Sequence, residues 1–385
     1  MKGHVRRRGK VWTFAIDVGA DPATGTRKRL QRSGFAKEGD ATDAMQEAIR
    51  QLKQGTLVVG EVPTLAAFVR DEWLPGRHAA VRASTWASYR DTLEGRVVPR
   101  IGALRLDRVT PRHVGDLYAE LLTSGGRDER RGPGLSARTV SYTGMILTRV
   151  FGDAMKRGLI VRNPAEHVER PKVRDVEMSW WSIAEARAFL AHVEGDRLVA
   201  LWKMLLTTGM RRGEALGLRW ADIDLDAGRL AVRRTLITVG YRVEWSEPKT
   251  EASRRVIALD PDTVQVLRGH RRRQLEERVA LGVGYRDGDL VFATVTGVPV
   301  HPGSVSQSFD RLVTVAKVRR IRLHDLRHTA ATTLLEQGVP LKVVTERLGH
   351  SSTRITADLY QHASETMQDD AAAKLGVAFL GSGAS

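Results

Sequence analysis

Between residues 324 and 362 the chain reads HDLRHTAATTLLEQGVPLKVVTERLGHSSTRITADLYQH, which gathers His324, Arg327, His328, His350 and Tyr360 in one stretch. The residue types are cations, imidazoles and one phenol. A free tyrosine hydroxyl has a pKa of roughly 10, so as a nucleophile it needs a nearby base and positive charge around its target. The electrophile that asks for this set is a phosphodiester. Its non-bridging oxygens are anionic, gain charge in the transition state and match a planar guanidinium bidentately. A rival reading takes His324 and His328, four apart on a helix, as a zincin-like pair with Asp325 in the place of the Glu. Asp is one methylene short for that base, and Arg327 would set a cation beside the metal, so no metal is assigned. For any one of these residues alone, a packed aromatic or a core histidine is the plain alternative.

Turn signals indicate how these side chains meet. Gly338 predicts the stop of a first helix, Pro340 the first position of a second and Gly349 its end. Ser351-Ser352-Thr353 offers the cap of a short third helix carrying Ile355 and Leu359. Three short helices with tight turns fold back far enough to bring His324, Arg327, His350 and Tyr360 together.

His-x-x-Arg, then Leu348-Gly349-His350, then Tyr360 ten residues on resembles the C-terminal half of the tyrosine recombinase (phage integrase) active site. The ordered set at this spacing carries the resemblance; no single piece does. Upstream, Thr208-Gly209-Met210-Arg211-Arg212-Gly213-Glu214 followed by Leu218-Arg219-Trp220 matches the family's first arginine box. In that frame Arg211 is the catalytic arginine, Arg212 its rival by proximity, and Glu214 the acid that holds the site together. Pro248-Lys249-Thr250 with Ser253-x-Arg255 matches the lysine of the β-hairpin.

The resemblance implies a division of labour. Arg211 and Arg327 clamp the scissile phosphate, His324 accepts the Tyr360 proton and His350 binds or orients. Tyr360 forms a 3′-phosphotyrosine, and Lys249 protonates the departing 5′-hydroxyl. Neither cofactor nor metal is implied. The implied partners are double-stranded DNA attachment sites, a homo-tetramer on that DNA, and a directionality factor or host DNA-bending protein. A type IB topoisomerase is the nearest rival within the same chemistry. A non-catalytic DNA-binding regulator explains the arginines but leaves the tyrosine without a role.

Composition agrees with a polyanionic partner. The chain has 385 residues, no cysteine and a net charge of +16. Twelve of those net charges lie in residues 1–175, so the cations of the C-terminal half are placed one by one. The absence of cysteine excludes disulfides and thiolate zinc sites and fits a reducing cytoplasm. There is no apolar run long enough to span a bilayer, and MKGHVRRRGK lacks a signal-peptide core, so no membrane partner is expected. A bacterial, nucleoid-associated location follows from the resemblance.

Three regions are expected, a multidomain α+β chain. Residues 1–59 read as a three-stranded sheet plus one helix. Trp12, Phe14, Ile16 and Val18 alternate on one strand, RKRLQRSGF returns as another, and a helix runs from Thr42 to about Gln54. Arg6, Arg7, Arg8, Lys10, Arg27, Lys28, Arg29 and Arg32 crowd these strands, and the module resembles the family's arm-type DNA-binding domain. Residues 63–170 read as a four-helix core-binding domain with caps at Thr64, Ser84, Thr110 and Ser136. Residues 176–385 form a mainly helical catalytic domain with a small antiparallel sheet: RLAVRRTLITV, YRVEW and RRVIAL, with LVF a short strand further on. Residues 369–380, DDAAAKLGVAFL, read as a short helix whose apolar side needs a surface, which family members often find on a neighbouring protomer.

Overall fold

In the computed structural model the described residues are 3–20, 25–54, 61–126, 132–174, 179–240, 242–247, 253–350, 352, 372 and 374–379. By its internal contacts the chain divides into residues 1–175 and 176–385.

The first unit opens with β1 (Gly3–Arg8), β2 (Val11–Ala20) and β3 (Arg27–Phe35), an antiparallel sheet in chain order. Phe14 and Ile16 of the central strand are buried against Ala48 of α1 (Glu38–Lys53), a small core that fixes the register. The expected alternation is lost in the middle of the strand, where Thr13 and Ala15 are buried as well as Phe14 and Ile16, and Thr13 hydrogen-bonds Ser33 at 2.8 Å. Helix α1 starts four residues before the expected Thr42, with Glu38 and Asp40 in its first turn, where acids suit the helix dipole. Arg6, Arg7, Arg8, Lys10, Arg27, Lys28, Arg29 and Arg32 are all exposed, on the two outer strands and the β1–β2 turn.

The helical part of this unit has its own apolar core, built around Phe68, Trp73, Leu93, Tyr118 and Phe151. Its first helix passes through α2 (Leu65–Ala67), a π-helical segment Phe68–Trp73 and α3 (Leu74–His78). The second passes through α4 (Ala83–Thr92), a π-helical segment Leu93–Val97 and α5 (Val98–Ile101). Then come α6 (Pro111–Ser124) and α7 (Ala137–Lys156). The side chains of Thr64, Thr110 and Ser136 cap their helices as expected. Ser84 does not: α4 begins a residue earlier, and its N-cap is Arg82.

The second unit is built on α8 (Ile183–His192), α9 (Val199–Thr208) and α10 (Arg212–Leu216), then β4 (Ile223–Asp224), β5 (Arg229–Val232), β6 (Thr235–Val239), β7 (Arg242–Ser246) and β8 (Arg255–Ala258). Helices α11 (Pro261–Leu281), α12 (Pro302–Val315), α13 (Asp325–Glu336) and α14 (Leu341–Leu348) follow. Trp181, Phe189, Trp202 and Phe309 stack with ring centroids 4.9–6.5 Å apart at the heart of its core.

The sheet differs from the single one expected. RLAVRRTLITV breaks at Arg233-Arg234 into two strands of separate sheets, β4-β5-β8 and the hairpin β6-β7. Alternation cannot reveal that break, because both halves keep an inward apolar set: Leu230 and Val232, then Leu236. LVF is not a strand; it makes only an isolated bridge through Leu290 to Arg219, though Val291 and Phe292 are fully buried. Among the described residues no helix is long and apolar enough to cross a membrane.

Candidate active site

The site forms where α9, α10, α13 and α14 end or begin. Helix α9 stops at Gly209, whose φ of 64° lies in the left-handed region. A Cβ there would also come within 2.4 Å of Leu348 Cδ2, so a side chain would displace the buried Leu348 as well as strain the backbone. The turn delivers Arg211 to the N-cap of α10, with Glu214 on the first turn. The Glu214 carboxylate accepts from the Arg211 backbone N–H at 3.1 Å and from Arg211 Nη1 at 2.8 Å. From the other side Arg255 Nη2 donates to it at 2.9 Å. Burial pushes the Glu214 carboxyl up, but the Arg255 and Arg211 guanidiniums outweigh it and hold the group below its ordinary value.

Three arginines then converge on the C-terminal end of α14. Arg255 Nε donates to the Arg347 carbonyl at 2.6 Å, Arg327 Nη2 to Leu348 at 2.7 Å and Arg211 Nη2 to Gly349 at 3.3 Å. Helix carbonyls in the last turn have no intrahelical partner and sit at the negative end of the dipole, so cations are the natural groups to satisfy them. Gly349 closes the helix in the left-handed region, at φ 68°. Arg327 also donates to Gly209 O at 2.8 Å, which ties the α9 and α14 ends together through one guanidinium. Only 3% of Arg327 is exposed; burial, with Arg211 beside it, pushes its pKa down to about 9, so it stays charged at neutral pH.

His324 is the N-cap residue of α13 and faces a cleft of about 770 Å³ shared with Arg211, Arg212, Ser306, Arg320 and Arg322. Partial burial and the neighbouring His328 and Arg327 push its pKa down to about 4, and because the residue is exposed to the cleft, water screens part of that effect. His350, half-buried just past α14, is pushed down to about 3 by burial and by Arg327 and Arg211. Both imidazoles are therefore neutral at pH 7.

The zincin-like reading finds a different arrangement. Asp325 is buried and bound by Arg322, whose Nη2 and backbone N–H each donate at 2.8 Å. The His324 and His328 rings meet edge-on at 5.3 Å. Among the described residues no three His, Asp or Glu gather as a metal site. Arg212, the rival of Arg211, turns instead to Ser306 on α12.

Thus Arg211, Glu214, His324, Arg327 and His350 lie together. Lys249, Tyr360 and the third helix expected after Ser351 lie outside the described residues. Pro340 is the N-cap of α14 rather than its first residue. Sequence reading missed the part played by Arg255, which was visible only as one position of the Ser-x-Arg pattern.

The neutral imidazoles carry a pH signature. In the unfolded chain histidine protonates near its ordinary value of about 6.5, while in the folded chain these two hold out to about 4 and about 3. Above that ordinary value both states are neutral and nothing is lost. Below it only the unfolded state gains protons, so stability should fall as pH drops toward 4. His270 and His328, also shifted down chiefly by burial, add to the slope. Denaturant midpoints measured across this window should decline, and less steeply in His324→Asn/His350→Asn; a flat profile, or an unchanged slope in the variant, would contradict the assignment.

Comparison with known proteins gives the arrangement a family. Residues 183–367 match the model of the phage integrase family, and residues 4–52 match an arm DNA-binding domain. A tyrosine recombinase XerC-like protein of Caldanaerobacter subterraneus subsp. tengcongensis is 31% identical over 265 residues, 64% of this chain and 68% of the relative. An integrase of Streptomyces ambofaciens is 26% identical over 372 residues, covering 93% of this chain and 91% of the relative. Among solved structures, the Tn1549 transposon integrase in complex with a circular intermediate DNA has the same fold, with a TM-score of 0.65 at 20% identity over 81% of this chain and 99% of that one. A lambda integrase tetramer bound to a Holliday junction gives 0.56 at 18%, over 93% and 94%. By that family match and by its cover of two thirds of the Caldanaerobacter recombinase, the chain belongs to the phage integrase family of tyrosine recombinases, the site-specific DNA recombinases.

Proposed function

We propose that the protein integrates, and in reverse excises, a mobile element by cutting and rejoining DNA strands at attachment sites through a phosphotyrosine linkage. The observation that carries this reading is that Arg211 and Arg327 converge on the end of α14, where His350 follows ten residues before Tyr360 in the chain, with His324 near both arginines. In this reading Arg211 and Arg327 neutralise charge on the scissile phosphate. The Tyr360 hydroxyl attacks phosphorus and gives its proton to His324, which is neutral and able to accept. A phosphate anion bound beside the imidazole raises its affinity for that proton. His350 donates a hydrogen bond to the phosphate. Lys249 gives a proton to the departing 5′-oxygen, and the 5′-hydroxyl of a second strand later reverses the attack. The covalent link conserves the bond energy, so neither metal nor nucleotide is required.

The regions divide the work. Residues 1–59, with eight exposed cations on the outer strands and β1–β2 turn, grip arm-type DNA. Residues 63–170 grip the core site, and 176–385 do the chemistry. The lambda integrase tetramer on a Holliday junction supports a tetrameric working assembly on DNA. Residues 374–379 are helical and expose Leu375 and Phe379, which suits a tail that docks on a neighbouring protomer in that assembly. A directionality factor or host DNA-bending protein, and residence at the nucleoid, complete the proposal.

Tyr360→Phe removes one hydroxyl, so it should bind core-site DNA like the parent and form no covalent adduct on a nicked site. Undiminished strand exchange by that variant would sink the mechanism. Non-specific affinity scales with the phosphates neutralised, so deleting residues 1–59 should flatten the salt dependence of DNA binding while cleavage of a short core site survives. A folded truncation that cleaves no core site would show the division of labour to be wrong.

A further inference from the structure

The β6–β7 hairpin is joined to α10 with unusual closeness. Gly213 and Gly217, one helical turn apart, face strand β6. A Cβ at Gly213 would lie 2.6 Å from the Leu236 carbonyl oxygen and 2.7 Å from Thr235 Oγ1. At Gly217 it would lie 3.1 Å from the Leu236 backbone nitrogen and 3.2 Å from Thr235 Cα. Strand and helix thus meet backbone to backbone, with Leu236 buried in the core beneath.

The outer strand has a clamp of its own. Trp245 stands opposite Leu236 in the register and is 46% exposed, a large aromatic that the core does not use. The Arg219 guanidinium lies over its ring, 5.7 Å from the centroid. Arg219 is itself fixed, because its backbone N–H donates to Asp222 and Leu218 O accepts from Val291. Among the described residues its buried Nε has no hydrogen-bond partner, and the aromatic face is the contact the guanidinium makes there.

These contacts link two parts of the proposed chemistry. Helix α10 carries Arg211 at its N-cap, and β7 ends at Ser246, three residues before Lys249 in sequence. We propose that Gly213, Gly217 and the Arg219–Trp245 stack form a seat that fixes β7, the strand that leads into Lys249, against the helix of Arg211, and that proton delivery by Lys249 depends on this seat. The inference rests on the reading of Lys249 as general acid. The step it serves is the breaking of the P–O5′ bond as the Tyr360 oxygen bonds phosphorus, with the Lys249 proton passing to O5′. Trp245 and the glycines act through Lys249 in this proposal; they are positioning residues.

A substrate with sulfur in place of the bridging 5′-oxygen separates positioning from general damage, because a thiolate leaves without a proton. Single-turnover adduct formation is measured on ordinary and 5′-phosphorothiolate core sites for the full chain, Trp245→Ala, Trp245→Phe, Gly213→Ala and Lys249→Ala. Trp245→Ala and Gly213→Ala should each slow the ordinary substrate by ~10-fold or more, a loss within the range of general-acid catalysis. The sulfur substrate should restore most of that loss, and Trp245→Phe should keep most of the parent rate. Because Trp245 is 46% exposed and outside the core, its variants should keep the parent's fold and thermal midpoint. Lys249→Ala should show the same pattern more strongly. If Lys249→Ala is relieved by sulfur but Trp245→Ala is slowed equally on both substrates, or on neither, the seat is wrong. If sulfur does not relieve Lys249→Ala, the acid assignment beneath it fails.

Discussion

The site depends on how the last carbonyls of one short helix are satisfied. Arg347, Leu348 and Gly349 present three successive carbonyl oxygens, and each accepts from a different arginine: Arg255, Arg327 and Arg211. A hydrogen bond to a charged group contributes about 1.5–3 kcal/mol, more than a neutral one. Gathering three guanidiniums in a small volume is costly, because they repel and Arg327 is almost wholly buried. Glu214 offsets that cost as the one buried carboxylate between Arg211 and Arg255. Removing one partner from such a buried pair typically costs about 3–5 kcal/mol, since the other charge is left uncompensated. The same network that binds substrate phosphate in the proposed mechanism therefore also holds α14 and His350 in place.

This dual use accounts for the protonation states. Arg211 and Arg255 share the single Glu214 carboxylate and Arg327 is spent on carbonyls alone, so the cluster keeps a net positive charge. Together with burial, that field keeps His324 and His350 neutral. An arriving phosphate reverses the sign of the local field, so the imidazoles gain proton affinity when substrate is bound. A site pre-charged with cations and lacking its anion is strained in the free protein and relieved on binding, the arrangement expected where binding energy is put to catalytic use.

Much of this was legible in the sequence because it is local. Gly349 ends its helix in the left-handed region as its position suggested, and Thr64, Thr110 and Ser136 cap helices by side-chain hydrogen bonds. The spacing of Arg211, Glu214, His324, Arg327 and His350 was readable as one constellation. What stayed hidden is tertiary. Arg255 acts through a backbone carbonyl 92 residues away, and a guanidinium–carbonyl contact leaves no mark in composition or period. The split at Arg233-Arg234 is invisible to an alternation that both strands share. Ser84 has the right chemistry for a cap, but α4 already starts before it.

If Glu214 and Arg255 serve as one unit that holds the α14 end, their removal should not add. A double-mutant cycle of Glu214→Gln and Arg255→Ala, read by single-turnover covalent-adduct formation on a nicked core site, measures this directly. The account predicts that each variant loses much of the rate and that the double variant is no worse than the more damaged single one. Losses that multiply as independent effects would contradict it.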